Sequence, residues 1–471
     1  MGWQNVRAYR LRKVFNFQKE LKDIRRQDKA IKRNQKIGAS IGFIRKTINF
    51  FKELIMRKQK PKPKPPEGTL IGLNGRQGIY IPDNAKHVFI CGTTGSGKTV
   101  ALSNFIKNAI DNNLPALIID GKGDMGEGSL LDIVQRLNQG RKKEYIVNLS
   151  DPAHSNRYNP FLGASSAMAT DMLINMHDWS EEHYKLNAER YIQRITQLLE
   201  LAKISFSFGR IITCMKPNKF IDMSNYLLQK ELISKEEHVD NLELLKISGK
   251  IAQSSVARFS TIAESQAGKI LSDDGINIAQ ALKENAIILF ILNPLTYPEL
   301  SPAFGRLVLI DSKIAIGELF HSRIPRTFFI MDEISSYATT ALTDLVNKSR
   351  SANVTCVLAT QSLSDLDFAV NESYKEQIIE NCNNYIVLRQ NSGVNADYWA
   401  NVIGTKKAVE MTHQLVQSGL LVTTETGYGS SRIVREYLYH PDDIKVLQTG
   451  KGIFLSRDWN VHCRVNIHKP F

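Results

Sequence analysis

The feature that most constrains this chain is a glycine-rich octapeptide at residues 92–99 that follows a short apolar run. It fits the pattern G-x-x-x-x-G-K-[ST] in full. Its members are Gly92, Thr93, Thr94, Gly95, Ser96, Gly97, Lys98 and Thr99. The run His87–Cys91 predicts a buried strand, the residues after the octapeptide predict a helix, and Ala116–Asp120 predicts the next strand. This β-α-β arrangement is the structural context that a phosphate-binding P-loop requires.

The chemistry of the octapeptide indicates a nucleoside triphosphate as ligand. Glycines allow backbone N–H groups to curl around phosphate oxygens, and the N-terminus of the following helix adds a favourable dipole. Lys98 is expected to neutralise the β- and γ-phosphates, and the Thr99 hydroxyl is expected to bind Mg²⁺. ATP and Mg²⁺ are therefore the predicted cofactors.

A second apolar run, Thr327–Asp332, ends in the acidic pair Asp332-Glu333. A P-loop needs a neighbouring strand that ends in a carboxylate. We therefore expect Asp332 to hold the Mg²⁺ shell and Glu333 to orient or deprotonate the attacking water. Lys98 and Asp332 lie 234 positions apart, which is long for one β-α-β series. A helical insertion would explain this separation.

Two further polar residues are candidates for the same site. Gln361 follows the predicted strand Val354–Thr360, where a glutamine could sense the γ-phosphate. Arg350 ends the preceding helix, where it could complete a neighbouring subunit's site. An ordinary cation that complements the helix dipole is an equally good interpretation of Arg350.

Guanine specificity is not indicated. Asn347-Lys348-Ser349-Arg350 begins like the guanine-reading N-K-x-D motif, but it lacks the aspartate that would pair with the base.

The hydrophobic patterns predict an α/β fold with a mainly parallel sheet, an inserted all-α domain and a basic helical N-terminal arm. The expected divisions are an arm and Lys/Pro linker at 1–66, a first ATPase part at 67–164, an all-α insertion at 165–282 and a second ATPase part at 283–471. Within this plan, Thr69–Leu73 and Gly78–Ile81 read as a β-hairpin. The strands Ala286–Leu292 and Tyr385–Arg389 belong to the resumed sheet, and short strands are expected near Arg435–Tyr439 and Gly452–Leu455.

The charge is concentrated at the N-terminus. Residues 1–66 hold 20 Lys or Arg and 4 Asp or Glu, so their net charge is +16. Because the net charge of the whole chain is +14, residues 67–471 have a net charge of −2. An apolar seam from Ile37 to Ile55 recurs at helical spacing within this arm. The arm could bind DNA, lie on a membrane surface or pair with a protein helix. Peripheral membrane contact through residues 1–60 is one of these alternatives.

The chain is not expected to contain a transmembrane helix, because it has no uninterrupted apolar run of about 18 residues. Nor is a secretory signal evident. The expected location is therefore the cytoplasm, including the cytoplasmic face of the cell membrane.

Taken together, these motifs resemble the conjugative coupling ATPases of type IV secretion, the TraG/TraD-like class, which are related to HerA and FtsK motors. The resemblance extends over roughly residues 70 to 460. Besides the P-loop, the matching segments are Asp120-Gly121-Lys122-Gly123-Asp124, Tyr158-Asn159-Pro160-Phe161, the helical insertion, Asp332-Glu333, Arg350, Leu358-Ala359-Thr360-Gln361-Ser362 and Asn381–Arg389.

The resemblance implies a homo-oligomeric ring, usually a hexamer, with ATP at subunit interfaces and DNA through its centre. It implies that Arg350 acts in trans and that Gln361 couples hydrolysis to movement. The implied partners are single- or double-stranded DNA, a relaxase or relaxosome and the type IV secretion channel. This chain departs from the family pattern D-P-K-G-E at Gly121 and Asp124. Most members carry N-terminal transmembrane helices, and none is predicted from the apolar pattern of this sequence.

Three functions are consistent with this sequence. The first is an ATP-driven DNA translocase that acts as a coupling protein. The second is a soluble translocase of the HerA/FtsK type. The third is a nucleotide-gated receptor for protein cargo, which the near-neutral charge of residues 67–471 leaves open.

Overall fold

The computed structural model describes residues 68–83, 86–179, 181–319, 325–371, 373–417 and 423–471. The basic arm and the Lys/Pro linker predicted at 1–66 lie outside these ranges. Residues Thr69–Asp458 and His462–Phe471 form one compact unit. None of the helices in the described ranges combines the length and the apolar character that a membrane span requires.

The described chain contains two sheets. The strands are β1 (Gly68–Asn74), β2 (Gln77–Pro82), β3 (His87–Cys91), β4 (Ala116–Asp120), β5 (Glu144–Asn148), β6 (Ile287–Ile291), β7 (Thr327–Asp332), β8 (Val354–Thr360), β9 (Cys382–Val387), β10 (Thr405–Gln417), β11 (Thr423–Tyr437), β12 (Lys451–Ser456) and β13 (Val461–Ile467). The order in the main sheet is β2-β1-β13-β12-β9-β3-β8-β7-β4-β6-β5, while β10 and β11 pair separately.

The helices surround the main sheet and form the insertion. They are α1 (Lys98–Asp111), α2 (Leu130–Asn138), α3 (Ser166–Asn175), α4 (Glu182–Leu201), α5 (Phe208–Met215), α6 (Pro217–Gln229), α7 (Lys235–Ala263), α8 (Gln266–Ile270), α9 (Ile278–Lys283), α10 (Leu300–Leu319), α11 (Thr340–Ser349), α12 (Leu363–Ala369), α13 (Tyr374–Asn381), α14 (Gly393–Ile403) and α15 (Pro441–Lys445). Short 3₁₀ turns occur at Ile334–Tyr337 and Arg350–Ala352.

The central part of the main sheet is parallel. The strands β9, β3, β8, β7, β4, β6 and β5 run in one direction, and β12 joins β9 in the opposite direction. Every residue of β3, β4, β6, β7 and β8 is buried. This pattern is expected for parallel strands that are covered by helices on both faces. The predicted α/β P-loop fold is confirmed.

An all-helical segment separates β5 from β6, and those two strands are direct neighbours in the sheet. Its core includes Tyr191, Ile195, Phe220 and Phe259, all of which are buried. The start of α7 is fixed by a capping box, in which Ser234 and Glu237 each accept a backbone N–H from the other. The predicted all-α insertion is thus present, while its boundaries at 165 and 282 remain a prediction.

The insertion is joined to the sheet where the chain enters it at Tyr158 and leaves it between Leu271 and Ile276. We call this junction the crossing at Tyr158. Tyr158 forms parallel bridges with both Leu271 and Ile276. The Asn159 amide donates to the carbonyl oxygen of Ile276 at 2.9 Å, and its side chain donates to the carbonyl oxygen of Phe206 at 3.2 Å. The Asn-Pro-Phe segment noted in the sequence therefore ties the two ends of the insertion together.

Several strands differ from the sequence-based expectation. The last parallel strand is Cys382–Val387 and not Tyr385–Arg389, because the β-type residues at its end continue into the loop beside the P-loop. Strand β5 was not predicted. The short strand expected near Arg435–Tyr439 is the end of a 15-residue strand, β11, that pairs with β10 between Thr405–Gln417 and Thr423–Tyr437.

Candidate functional site

The P-loop lies where the sequence places it, between β3 and α1. Gly95 and Gly97 have φ angles of +71° and +109°, which side-chain-bearing residues rarely adopt. A Cβ on Gly92 would lie 2.6 Å from both the Leu388 Cβ and the Ser96 Oγ. These glycines therefore serve the tight turn of the loop, whose curvature presents backbone N–H groups to one side.

Lys98 is buried at the start of α1, with 3% of its surface exposed. Its Nζ donates to the carbonyl oxygen of Gly92 at 2.6 Å. Burial lowers the pKa of Lys98, and the nearby Lys122 ammonium lowers it further, while Asp332 and Glu333 oppose this shift. The Lys98 ammonium is thus held inside the curve of the loop.

Two carboxylates lie beside the P-loop at the carboxyl end of β7. Asp332 and Glu333 are both buried, at 1% and 9% exposure. Glu333 has a φ of +49°, so the chain makes a left-handed turn as it leaves the strand. Its Oε1 accepts hydrogen bonds from the Ser335 hydroxyl at 3.0 Å and from the backbone N–H of Gln361 at 3.3 Å. Its Oε2 is buried and has no hydrogen-bond partner.

A third carboxylate, Asp120, stands next to Asp332 because it ends the neighbouring strand β4. Its Oδ1 accepts the backbone N–H groups of Lys122 and Gly123 at 3.0 and 3.1 Å. Burial and then the Asp332 carboxylate raise the pKa of Asp120 to about 7, although those two N–H groups pull it down. Sequence reasoning placed Asp120 in a family motif but gave it no role.

Lys122 is a further candidate residue of this site, to which sequence reasoning assigned no role. Its Nζ lies 3.2 Å from the Asp332 Oδ2, and 22% of its side chain is exposed. Burial alone would lower its pKa, but the carboxylates of Asp332 and Glu333 outweigh burial and raise the pKa. A lysine two residues after a buried strand that ends in Asp was the available signal.

Gln361 contacts the P-loop directly. The Thr94 hydroxyl donates to the Gln361 Oε1 at 2.7 Å. Because its backbone N–H also binds Glu333, Gln361 joins the P-loop to the acidic pair. The three elements that sequence reasoning treated separately are thus in one hydrogen-bonded group.

Two other loops border the P-loop, and neither was predicted to do so. After β9, the Arg389 carbonyl oxygen accepts from the Thr93 amide at 2.9 Å, and the Asn391 side chain donates to the Thr93 hydroxyl at 3.2 Å. Before β12, the Thr449 hydroxyl donates to the Gly95 carbonyl oxygen at 3.0 Å. The Thr-Gly-Lys-Gly sequence at 449–452 was the signal for this second contact.

A cavity of about 290 Å³ opens beside the P-loop. Its lining includes Thr99, Asp120, Lys122, Asp332 and the loop 124–130. Hydroxyl and carboxylate oxygens are the ligands that Mg²⁺ takes at nucleotide sites. The adjoining P-loop carries the Lys98 ammonium and the unpartnered Ser96 Oγ, and Glu333, which follows Asp332, has an unpartnered Oε2. This set of groups fits a metal–triphosphate.

Arg350 lies away from this site. It is exposed in the 3₁₀ turn that precedes β8. Besides burial, its positive charge lowers the pKa of His87, which starts β3. The P-loop follows the opposite end of β3, and β3 and β8 are parallel. Arg350 therefore stands at the amino-terminal edge of the sheet, separated from its own P-loop by the length of the strands.

Comparison with known proteins agrees with this geometry. A family model described as "Helicase HerA, central domain" matches residues 76–260, and one described as "TraM recognition site of TraD and TraG" matches residues 326–449. The type 4 coupling protein DotL of Legionella pneumophila is 28% identical over 135 residues, which span 25% of this chain and 17% of DotL. An uncharacterized protein of Mycoplasma pneumoniae is 39% identical over 110 residues, covering 20% of this chain and 92% of that protein.

Among solved structures, the bacterial conjugative coupling protein TrwBdeltaN70 superposes with a TM-score of 0.63 at 15% identity, covering 87% of this chain and 90% of that one. TrwB has also been solved in complex with ADP and Mg²⁺. The fold and the site thus define a P-loop nucleotide-binding protein of the TrwB/HerA type. The chain is thus similar to the TraG/TraD-like coupling proteins of type IV secretion over residues 326–449, and to the HerA central domain over residues 76–260.

Proposed function

We propose that this protein is an ATP-driven DNA translocase that delivers DNA, together with a relaxase, to a type IV secretion or conjugation channel. The observation that carries the proposal is the convergence of Lys98, Asp332, Glu333 and Gln361 at one end of a parallel sheet, in a chain that is similar to the coupling proteins. Phosphoryl transfer requires mainly positioning and charge stabilisation, and this group of residues supplies both.

Each side chain has a distinct role in the proposed hydrolysis. The N–H groups of residues 92–99 and the Lys98 ammonium bind the phosphates of ATP, while Thr99 and Asp332 hold Mg²⁺, which when bound neutralises charge on the phosphate oxygens. Glu333 orients the attacking water and accepts its proton through the oxygen that has no protein partner. Gln361 is hydrogen-bonded to both Thr94 and Glu333. A change at the γ-phosphate can therefore shift Gln361 and, with it, the end of strand β8.

The proposed active form is a ring, taken to be a hexamer, with ATP at the subunit interfaces. An exposed Arg350 at the far edge of the sheet supports this arrangement, because it is available to an adjacent subunit's site and not to its own. Single- or double-stranded DNA would pass through the ring. The divisions 1–66, 67–164, 165–282 and 283–471 are proposed as its arm, ATPase and insertion regions.

The proposed partners follow from the family. Residues 326–449 match a region described as a TraM recognition site, which supports docking to relaxosome or channel components. The strongly basic segment 1–66 supports recruitment to an anionic surface, either DNA or the cytoplasmic face of the cell membrane. We propose a cytoplasmic location, with the cytoplasmic face of the cell membrane as one alternative.

The decisive experiment measures steady-state ATP hydrolysis by the full chain over a protein concentration series, with and without single- and double-stranded DNA. DNA stimulation that rises cooperatively with protein concentration supports an assembling motor. The matched variants are Lys98→Ala, which should lose nucleotide binding, and Glu333→Gln, which should bind ATP but not turn it over. Normal conjugative DNA transfer by Lys98→Ala would contradict the proposal.

A second candidate, a nucleotide-gated receptor for protein cargo, is favoured by the charge of residues 67–471, which carry a net −2. A DNA-tracking groove usually carries excess positive charge. ATP turnover that is indifferent to DNA but changes with a purified relaxase would favour this receptor. A soluble HerA/FtsK-like translocase would instead show DNA stimulation together with nuclease or recombinase partners.

A further inference from the structure

The charge balance around Asp332 depends on a residue outside the P-loop. Three carboxylates meet here, those of Asp120, Asp332 and Glu333, and two of them end adjacent strands in direct register. Two ammonium groups interact with them: Lys122 forms an ion pair with Asp332, and Lys98 acts through its charge from within the P-loop. Because all five groups are largely withdrawn from water, their interactions are only weakly screened.

The Lys122 ammonium contacts Asp332, the residue proposed to bind the metal. Its Nζ is 3.2 Å from the Asp332 Oδ2, whereas Lys98 points into the loop at the Gly92 carbonyl oxygen. Lys122 also lines the same cavity as Thr99 and Asp332. A cation at this oxygen and a divalent metal held by the same carboxylate repel each other, so both cannot bind it strongly.

The backbone holds Lys122 in this position. The Gly121 amide donates to the Asp332 carbonyl oxygen at 3.2 Å, a bond that a proline at this position could not make. Gly123, with a φ of +71°, lies so close to Leu292 that a Cβ would be 1.7 Å from its carbonyl oxygen. The Asp120 carboxylate caps the turn between them through the N–H groups of Lys122 and Gly123.

We propose that Lys122 is a positioning residue that competes with the divalent cation for Asp332, so that the metal binds strongly only together with a triphosphate. The triphosphate supplies negative charge that draws the Lys122 ammonium away from Asp332. A metal ion alone supplies none and must displace the lysine unaided. This inference rests on the proposed ATP and Mg²⁺ site and adds a selectivity to it.

The test uses Mn²⁺ as the metal probe, because its binding can be followed by electron paramagnetic resonance without nucleotide. Lys122→Met should bind Mn²⁺ about 10-fold more tightly than the wild-type protein, since a neighbouring positive charge has been removed. Lys122→Arg keeps the charge and should bind Mn²⁺ as the wild type does. Asp332→Asn should lose this Mn²⁺ binding, which shows that the measured site is the correct one.

A fluorescent ATP analogue provides the second readout. In EDTA, Lys122→Met should bind the analogue several-fold more weakly, because the carboxylates then face the phosphates with one cation fewer. With Mg²⁺ present, the loss should be smaller. Thermal unfolding and circular dichroism establish that each variant is folded before its affinities are compared.

The outcomes separate this inference from the proposed function. Unchanged or weaker Mn²⁺ binding in folded Lys122→Met would overturn the role of Lys122, even if the wild-type protein hydrolyses ATP. Tighter Mn²⁺ binding in that variant supports the role even if no ATP hydrolysis is found. In the latter case the inference about Lys122 stands and the proposed function fails.

Discussion

The Thr94 hydroxyl donates a 2.7 Å hydrogen bond to the Gln361 side-chain oxygen, which links the P-loop to the end of the neighbouring strand β8. Through its own backbone N–H, Gln361 reaches the Glu333 carboxylate. A change at the phosphate end of the P-loop can therefore reach Glu333 through a single residue.

From this link we expect Gln361→Ala to lower the rate of ATP hydrolysis by about 10-fold or more with little change in nucleotide affinity, because Gln361 contacts the P-loop without forming its phosphate cradle. Thr94→Val should lower the rate in the same direction. Measuring kcat and the dissociation constant for both variants and their double mutant tests the link. Fully additive effects on kcat would show that the two residues act separately.

Arg350 provides a test of assembly. Both Arg350→Ala and Glu333→Gln should be inactive alone, with a loss in kcat of at least about 100-fold. Mixed together, they should recover part of the turnover, because the Glu333→Gln subunit can offer its arginine to the intact site of an Arg350→Ala neighbour. ATP hydrolysis across a range of mixing ratios gives the result. A mixture as inactive as its components would mean that Arg350 does not act between subunits.

Gly123 should be far less replaceable than a glycine three residues away. Gly123→Ala places a Cβ 1.7 Å from the Leu292 carbonyl oxygen in a backbone with a φ of +71°, whereas a Cβ on Gly126 meets nothing within 4 Å. The expected cost in free energy of unfolding is about 2 kcal/mol or more for Gly123→Ala. For Gly126→Ala it is within about 0.5 kcal/mol. Denaturant unfolding of the two variants measures the difference, and equal stabilities would contradict the described turn.

A buried carboxyl in the core should make stability depend on pH. Asp311 accepts a 2.6 Å hydrogen bond from the Tyr158 hydroxyl, and burial raises the pKa of Asp311 to about 8. The folded protein therefore binds this proton more tightly than the unfolded chain does. Its contribution to stability is present below pH 4 and is lost as the pH rises towards 8, by up to about 1.4 kcal/mol per pH unit.

Asp311→Asn is the matched control for this dependence, because the amide oxygen can still accept from Tyr158 but does not titrate. The free energy of unfolding, measured by denaturant between pH 5 and 8, should fall less steeply with pH in the variant than in the wild type. Identical pH profiles would mean that Asp311 does not titrate in this range.

Much of the fold follows from local sequence signals. β3, β4, β7 and β8 occupy the predicted residues, because continuous apolar runs and a complete P-loop leave few alternatives. Strand β5 escaped prediction because the first three of its five residues are only partly buried, which weakens the apolar pattern. Most of the β10–β11 pair escaped, and only the end of β11 near Arg435–Tyr439 was expected. The pair joins no other strand in the described chain, so packing imposes no alternation on it.

Most residues of the site could be predicted from the sequence, but their positions relative to one another could not. Lys98, Asp332, Glu333 and Gln361 could be named because each stands at the end of a recognisable strand or motif. Lys122 could have been noticed from its position two residues after a strand that ends in Asp. Its contact with Asp332 could not be derived, since that contact depends on β4 and β7 being neighbours in register. Strand order is a long-range property that residue patterns within a single chain do not specify.

The crossing at Tyr158, where the insertion leaves and rejoins the sheet, gives this part of the molecule an evolutionary freedom. Its two ends are hydrogen-bonded to each other, so the segment between them can lengthen, shorten or be replaced without shifting the register of β5 on β6. Selection on the exposed surface of the insertion is thereby uncoupled from selection on the sheet that carries the P-loop.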